Sequence, residues 1–257
     1  MNLSVLNKMK NGESVFGTWC MLPSSSAVDV IARTGVDFVI FDLEHGALSW
    51  ETTEEMVRSA QLHHCQPIIR VGDDQENTIL HALETGCEAI MVPHVSTVAA
   101  AERIVEAARY SPKGKRGLSP YTRCHGYTHH NLGSSVEYHA NETMVGVLVE
   151  GKEGIENLSE ISAVEGIDLI YLGMYDISQS VGLTGQLEHP EVQKQLDICL
   201  NRILKQNKFA GTFSRDIQSS VEFKKKGFQF VAYVADSYAL SSYYTDAAAE
   251  WSQIDNQ

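Results

Sequence analysis

Short apolar runs alternate with amphipathic segments along most of the chain. Eight runs are nearly continuous in hydrophobic residues, a pattern typical of strands buried on both faces of a parallel sheet. These predicted strands cover residues 15–20, 38–43, 67–71, 89–95, 144–149, 168–172, 209–213 and 228–234.

Segments with helical spacing separate the runs, and several carry residues typical of helix ends. One opens with capping serines and stops at Gly35, another begins near Pro190, and a third ends in three lysines before Gly227. The predicted helices cover residues 24–33, 49–58, 77–84, 97–110, 190–206 and 214–226. Eight strands alternating with helices over this length predict one closed (β/α)8 TIM barrel for residues 1–257. The alternative is an open doubly wound sheet, but no Gly-x-Gly-x-x-Gly turn supports a dinucleotide site.

Charge and cysteine content narrow the class of protein. The chain carries a net charge of −13, which argues against non-specific nucleic-acid binding. Its five cysteines are odd in number and widely spaced, which predicts reduced thiols. The sequence shows neither the apolar core of a signal peptide nor a run of about 20 apolar residues that could cross a bilayer. We therefore expect a soluble, cytoplasmic protein that binds neither nucleic acid nor membranes.

Two carboxylates stand where predicted neighbouring strands end. Glu150 closes the run 144–149, and Asp176 follows the run 168–172. Two acids at such positions can hold one hard divalent cation, Mg²⁺ or Mn²⁺. The alternatives are structural: Asp176 could cap the next turn, and Glu150 could form an ion pair with Arg70. A metal site is favoured because other strand ends carry compatible groups, namely Trp19, Asp42, Glu44, His45, Arg70, His94 and Thr212.

The residue types at these strand ends indicate roles in one kind of reaction. Arg70 could stabilise an oxyanion or grip a carboxylate with its paired donors. His45 has the intrinsic pKa needed to exchange a proton near neutrality. With a cation that polarises a carbonyl, this set suits a reaction that forms an enolate.

Residues 111–143 interrupt the alternation of strands and helices, and a connection of this length is usually functional. We expect the segment to reach over the barrel mouth. Its histidines (His125, His129, His130 and His139) could bind metal, although their spacing matches no known ligand set. Its basic residues from Lys113 to Arg123 could attract phosphate groups or simply keep the loop solvated.

Several spaced motifs between about residues 16 and 234 resemble the HpcH/HpaI aldolase and citrate lyase family of metal-dependent barrels. The motifs are Gly17-Thr-Trp19, Phe41-Asp-Leu-Glu-His45, Pro67-Ile-Ile-Arg70, Glu84-Thr-Gly86, Val92-Pro93, Tyr110-Ser-Pro-x-Gly114, Arg116-Gly117, Glu150 and Gly173-x-x-Asp-Ile-Ser178. The resemblance implies that Glu150 and Asp176 are metal ligands and that Arg70 binds the oxyanion. It also implies that His45 is the acid–base histidine and that Glu84 is its carboxylate partner.

The resemblance carries expectations about ligand and assembly. A 2-oxo acid such as pyruvate or oxaloacetate would be held by its keto oxygen on the metal, with its carboxylate near backbone N–H groups. The substrate-binding residues implied are Trp19, Gly173, Met174, Tyr175 and Arg123. Family members tend to form hexamers in which a carboxyl-terminal helix, here residues 237–251, packs across a subunit interface.

Some positions depart from the sugar-acid aldolases of the family. Leu148 replaces a usual glutamine, Met174 replaces a usual proline, and Glu84 replaces a shorter aspartate. With these departures, the chain resembles the branch of the family that makes citrate for siderophores of the staphyloferrin B type. That branch would condense acetyl-CoA with oxaloacetate, and the segment from Lys113 to Arg123 could meet the phosphates of the coenzyme. The alternatives are an aldolase that cleaves 2-keto-3-deoxy or 4-hydroxy-2-oxo acids to pyruvate, and a non-catalytic barrel that binds a 2-oxo acid.

Overall fold

Eight parallel strands close into a barrel in the structure, a computed structural model that describes residues 4–254. Each strand pairs with the next one along the chain, and the eighth pairs with the first. The strands are β1 Val15–Cys20, β2 Phe38–Asp42, β3 Gln66–Arg70, β4 Ala89–Val92, β5 Met144–Val149, β6 Leu169–Leu172, β7 Phe209–Ser214 and β8 Phe230–Ala235. The predicted TIM barrel is confirmed, and the open doubly wound sheet is wrong because the ring closes.

Helices cover the outside of this ring. Within residues 4–254 they are α1 Val5–Lys10, α2 Ser25–Ala32, α3 Trp50–Leu62, α4 Glu76–Glu84, α5 Val98–Ala108, α6 Leu132–Glu142, α7 Gly151–Glu156, α8 Leu158–Ala163, α9 Met174–Ser180, α10 Pro190–Lys205, α11 Ile217–Lys226 and α12 Asp236–Ile254. Every predicted helix is present, with ends that differ by a few residues. The helices that the sequence pattern missed are mostly short, and α7 and α8 have six residues each.

Two apolar runs extend beyond the strands they predict. The run 89–95 stops pairing at Val92, because Pro93 lacks an N–H group and His94 has a left-handed backbone with φ of 57°. The run 228–234 starts pairing only at Phe230, while Phe228 packs against Phe223 of α11 with ring centroids 5.6 Å apart. Burial alone therefore does not mark where a strand begins or ends.

The core has two layers, one inside the barrel and one between strands and helices. The inner layer centres on Phe38 and Phe230, whose rings stack with centroids 3.9 Å apart. Gly17 lies against this stack, and a Cβ at that position would lie 2.2 Å from the Phe38 carbonyl oxygen. Large side chains thus fill the barrel interior, and any ligand site has to lie at an open end.

The segment 111–143 packs on the outside of the barrel and does not cover the mouth. Arg123 donates to the carbonyl of Thr85 (2.6 Å) and to Oε1 of Gln61 (2.7 Å). Both acceptors lie at the carboxyl ends of helices. Because these helices run antiparallel to the strands, this is the end of the barrel opposite the mouth. Glu142, the last residue of α6, accepts from Asn7 of α1 at 2.7 Å. The expectation that this segment reaches over the barrel mouth is therefore wrong, because backbone and amide acceptors hold Arg123 elsewhere.

The last helix, α12, is attached to the barrel mainly through its first residue. The buried Asp236 carboxylate accepts from the backbone N–H groups of Met21 (2.9 Å) and Leu22 (3.2 Å). Further along, large side chains are exposed, namely Tyr238, Leu240, Tyr243, Tyr244 and Trp251. The predicted helix over residues 237–251 is present, whereas its packing across a subunit interface stays a prediction.

None of the helices within residues 4–254 combines the length and the apolar character needed to span a membrane.

Truncating the inner aromatic stack tests the assignment of the core. We expect Phe38→Ala to lower the free energy of unfolding by about 3–5 kcal/mol, because it leaves a cavity beside Phe230. The control Val30→Ala, at a side chain that is 67% exposed, should change it by less than about 0.5 kcal/mol. Urea denaturation measures both variants, and equal losses would contradict this description of the core.

Candidate active site

A cavity of about 360 Å³ opens at the carboxyl ends of the strands. We call it the mouth cavity. It brings together eight residues predicted from the sequence, namely Trp19, His45, Arg70, Glu150, Gly173, Met174, Tyr175 and Asp176. The remaining lining residues are Met21, Asp42, Leu148, Tyr171, Phe213 and Ala235. Side chains from widely separated parts of the chain meet here because all parallel strands end on the same rim.

The carboxylates of Glu150 and Asp176 converge in this cavity. Glu150 directly follows β5, and Asp176 lies in the first turn of α9. A Cβ built on Gly173 would lie 2.8 Å from Asp176 Oδ2 and 3.4 Å from Glu150 Oε2. The absence of a side chain at Gly173 therefore leaves the space into which both carboxylates point.

The electrostatics of this pair call for a cation. Burial raises the pKa of Glu150, and the neighbouring Asp176 raises it further, opposed by the N–H group and ring of His94. Two carboxylates this close repel each other unless they share a proton or a positive ion lies between them. Hard carboxylate oxygens suit Mg²⁺ or Mn²⁺. The residues present thus fit a divalent cation.

The structural alternatives for the two acids do not match their surroundings. Glu150 occupies the N-cap position of α7, but its side chain accepts no capping hydrogen bond. Asp176 lies inside α9, whose N-cap residue is Gly173. In the described part of the chain, Arg70 forms its ion pairs with Asp42 and Glu44 and not with Glu150.

Asp42 is the anchor that positions Arg70. This fully buried carboxylate accepts from Arg70 Nε at 2.8 Å and also from Arg70 Nη2. Its Oδ1 also accepts the backbone N–H groups of Glu44 (3.0 Å) and His45 (3.1 Å). The guanidinium carbon of Arg70 lies 4.6 Å from the centre of the Trp19 ring. The guanidinium is therefore held by Asp42 and stacked on Trp19, and its remaining N–H groups are available to a ligand.

Glu44 and His94 connect the arginine to the carboxylate pair. Arg70 Nη1 lies 3.1 Å from Glu44 Oε2, an ion pair without hydrogen-bond alignment. Glu44 Oε1 lies 2.7 Å from His94 Nε2, and His94 Nδ1 lies 3.3 Å from Glu150 Oε1. The backbone N–H of His94 also donates to Glu150 at 3.1 Å. Sequence reasoning assigned no role to Asp42, Glu44 or His94, although all three follow or end predicted strands.

His45 lies at the rim of the mouth cavity. Its side chain is 67% exposed, and its Nε2 lies 3.9 Å from Glu44 Oε1. Its backbone is fixed by Asp42, so the ring is placed at the cavity while remaining in contact with solvent. This position suits the transfer of a proton between a bound ligand and water.

Glu84 and Arg123 lie away from the mouth cavity. Glu84 accepts from Arg116 Nη2 at 3.0 Å, and both Glu84 and Arg123 line a separate cavity together with Trp50 and Tyr127. The expected pairing of Glu84 with His45 is not met within one chain, nor is the expected place of Arg123 at the substrate. The physical reason is the direction of the helix. Glu84 is the last residue of α4, and because the helices run antiparallel to the strands, it lies at the barrel end remote from the mouth. Among the described residues of the chain, the carboxylate beside His45 is Glu44.

Apolar and aromatic groups form the walls of the mouth cavity. Trp19 Nε1 donates to the Tyr171 hydroxyl at 3.2 Å, and the two rings meet edge to face at 5.8 Å. Burial raises the pKa of Tyr171, which keeps its hydroxyl neutral. Leu148 and Phe213 add apolar surface. Low polarity around the charged groups strengthens their interaction with a ligand.

Comparison with known proteins gives the site a family context. The family model for HpcH/HpaI aldolase/citrate lyase matches residues 16–242. The chain is 32% identical over 250 residues to a hydroxypyruvate/pyruvate aldolase of Roseobacter denitrificans, with 95% of each chain covered. It is 30% identical to a 2-keto-3-deoxy-L-rhamnonate aldolase of Salmonella gallinarum, with 89% of this chain and 85% of the relative covered. The crystal structure of citrate synthase SbnG is similar over 100% of both chains, with a TM-score of 0.90 and 29% identity.

Adding one methyl group at Gly173 tests whether the two carboxylates share a ligand. We expect Gly173→Ala to weaken Mn²⁺ binding by about 1–3 kcal/mol, roughly 5- to 150-fold, because the new Cβ pushes Asp176 Oδ2 away. Isothermal titration calorimetry measures the affinity. The matched control is Gly133→Ala on α6, where a Cβ meets nothing within 4 Å. Unchanged affinity in Gly173→Ala would show that the cation is held elsewhere.

The raised pKa of Glu150 predicts a pH dependence of the metal-free protein. A carboxyl group whose pKa is raised on folding contributes stability that is fully present below its unfolded pKa of 4.5 and is lost as the pH rises through the folded value. Glu150→Gln removes this loss, because the neutral amide can donate to Asp176. In EDTA, the variant should therefore gain stability relative to the wild type as the pH rises towards neutrality. Parallel curves of unfolding free energy against pH would contradict the repulsion between the two acids.

Proposed function

Because this chain belongs to the HpcH/HpaI aldolase/citrate lyase family, we propose that it forms or breaks a carbon–carbon bond of a small 2-oxo acid through an enolate. The observation that carries the proposal is the convergence of Glu150 and Asp176 with Arg70 in one cavity. A surface that merely binds anions would need the arginine but not two acids. A purely structural acid pair would not lie at the open rim.

Glu150 and Asp176 would hold Mg²⁺ or Mn²⁺, in keeping with a family whose enzymes are generally dependent on divalent metals. The cation, when bound, would polarise the 2-oxo carbonyl and favour negative charge on its oxygen. His94 supports this role, because its backbone N–H and ring both contact Glu150 and limit the orientations of that carboxylate.

Arg70 would donate to the oxygen on which negative charge develops. Asp42 holds the guanidinium in place before any ligand arrives, so little reorganisation is needed during the reaction. A lysine could keep the charge but not the paired contact with Asp42, since an ammonium group lacks the planar fork. The geometry of the site therefore depends on arginine at this position.

His45 would move the proton that carbon–carbon cleavage requires. In the cleavage direction, a base takes the proton of the substrate hydroxyl as the bond to the neighbouring carbon breaks, and the electron pair of that bond becomes the enolate. Protonation of the enolate then releases the 2-oxo acid. His45 touches both the mouth cavity and solvent, so a proton can pass between a bound ligand and water through this ring.

The first turn of α9 would receive the carboxylate of the substrate. The backbone N–H groups of Met174, Tyr175 and Asp176 precede the first intrahelical hydrogen bond of α9, which runs from Ile177 to Gly173. Trp19, which lines the same cavity, would flank the carbon chain of the substrate.

Cleavage of a hydroxy-2-oxo acid to pyruvate and an aldehyde is the reaction we favour. The names of the two sequence relatives above point to aldolases, and a cavity of about 360 Å³ suits a small substrate. The basic segment that could have met the phosphates of acetyl-CoA lies, within one chain, away from this cavity. Condensation of acetyl-CoA with oxaloacetate to citrate is the second candidate. It is supported by the full-length similarity to citrate synthase SbnG and by Leu148 in the cavity wall.

Assembly into a homo-oligomer, a hexamer by family resemblance, is part of the proposal. The exposed aromatic side chains of α12 support it, because such a surface is usually covered by another chain. The cytoplasmic location likewise stays a prediction.

Two assays on the same preparation decide between the candidate reactions. Pyruvate should be released from 4-hydroxy-2-oxo and 2-keto-3-deoxy acids with Mg²⁺ or Mn²⁺ and not with EDTA. Free thiol and citrate formed from acetyl-CoA and oxaloacetate would instead establish the synthase. Turnover in neither assay, with retained pyruvate binding, would leave only the non-catalytic barrel.

A conservative substitution tests the part played by Arg70. We expect Arg70→Lys to lower kcat by about 100- to 1,000-fold, as loss of one oxyanion donor does elsewhere. Arg103→Lys is the control, because Arg103 is an exposed arginine that pairs with Asp74 on the outer surface. Equal activities of the two variants would remove Arg70 from the mechanism.

A further inference from the structure

A second group of metal-binding side chains lies outside the mouth cavity, in the segment 111–143. The sulfur of Cys124 and one ring nitrogen each of His125 and His139 lie within 4.8 Å of one another. All three residues are buried. Cys124 and His125 belong to the 3₁₀ turn Arg123–His125, whereas His139 belongs to α6.

His139 makes a hydrogen bond of the kind that fixes metal-binding histidines. Its Nε2 lies 2.9 Å from the carbonyl oxygen of Cys124, to which it donates. This leaves Nδ1 with its lone pair when the ring is neutral, and burial keeps it neutral by lowering the pKa of His139. A histidine that donates its other N–H to a backbone carbonyl is fixed in tautomer and direction before a metal arrives.

His125 and Cys124 share one hydrogen-bonding partner. The Tyr110 hydroxyl lies 2.8 Å from His125 Nε2 and also hydrogen-bonds with Cys124. On the other side of the ring, His125 Nδ1 lies 2.7 Å from Ser135 Oγ. The Tyr110 hydroxyl therefore contacts both His125 Nε2 and the sulfur, and a cation that displaced this hydroxyl would lie next to both atoms, with Ser135 orienting the ring.

The surroundings provide access, and one neighbouring charge offsets part of the effect of burial on the thiol. A cavity of about 460 Å³ touches all three residues together with Gly126, Ser135 and Tyr138, so solvent can supply a fourth ligand. Burial raises the pKa of the Cys124 thiol, and Arg116 Nη2, which donates to the sulfur at 3.3 Å, opposes this shift. The charge of Arg116 is balanced by Glu84 at 3.0 Å.

We propose that Cys124, His125 and His139 bind one Zn²⁺ ion, with a water molecule in the fourth position. One thiolate and two imidazoles form a ligand set that suits Zn²⁺ and not Mg²⁺. Tetrahedral zinc needs ligand atoms roughly 3.3–3.7 Å apart, so the side chains close by about 1 Å. Binding releases the thiol proton of Cys124 to solvent. The ion fastens the 3₁₀ turn to α6 and is independent of the carboxylate site.

Cobalt spectroscopy on the full-length protein tests the proposal, because a thiolate ligand gives Co²⁺ a charge-transfer band that carboxylates do not. Protein saturated with Mg²⁺ should take up one Co²⁺ per chain with this band, and Zn²⁺ should abolish the band by displacing Co²⁺. The band should be lost in Cys124→Ser and in His139→Gln. It should persist in Glu150→Gln and in the control Cys199→Ser, which removes a buried cysteine of α10.

Absence of the band in the wild-type protein would overturn the proposal, and so would its persistence in Cys124→Ser. Co²⁺ uptake without the band would mean that only exposed histidines or carboxylates bind the ion, which also overturns it. If Cys124→Ser fails to fold, the wild-type spectrum and His139→Gln decide. A Zn²⁺-dependent rise in Tm of Glu150→Gln that is absent in His139→Gln would support the site without relying on the spectrum.

Discussion

Pairing of β8 with β1 is the constraint on which the rest of this structure depends. Once the sheet closes, the carboxyl ends of all eight strands lie on one rim, and their first loop residues face each other across it. Asp42 and Arg70 meet because β2 pairs with β3, whereas Glu150, which follows β5, faces them across the rim because the ring is closed. The aromatic stack of Phe38 and Phe230 fills the barrel below them, so the chemistry is confined to the rim.

The charged side chains at the rim differ in whether they have a partner of opposite charge. Glu150 and Asp176 are held close enough to repel each other, and the space that a side chain at position 173 would fill is left free. Arg70, in contrast, is compensated by the buried Asp42, so it can present a fixed positive group without costing the fold an unpaired charge. The site thus combines a pair of acids that could share a cation with an arginine whose charge is balanced by Asp42. This combination suits a ligand that develops negative charge between the two.

The two groups of candidate metal ligands, one at the mouth and one in the segment 111–143, differ in the chemical hardness of their ligand atoms. At the mouth the donors are carboxylate oxygens, and in the segment 111–143 they are a thiol and two imidazoles. The first set lies at an open rim where a substrate can enter. The second lies buried between a 3₁₀ turn and α6, which suits an ion that ties two parts of the chain together. Hard and borderline metals would therefore be sorted by chemistry as well as by position.

Local sequence was enough to predict the barrel and the placing of Glu150 and Asp176 at one rim, because both depend on patterns that are short in sequence. Continuous apolar runs mark strands buried on both faces, and residues at or just after the end of a run reach the rim, as Arg70 and Glu150 do. The roles of Glu84 and Arg123 could not be predicted in this way, since helix direction sends Glu84 to the far end of the barrel and carbonyl acceptors hold Arg123 there. The contact of His94 with Glu44 and Glu150 likewise depends on loops brought together by closure. Sequence alone therefore determined which side chains stand at the ends of the strands. Only the tertiary structure decided which of these side chains touch, because contacts across a barrel depend on packing and not on spacing along the chain.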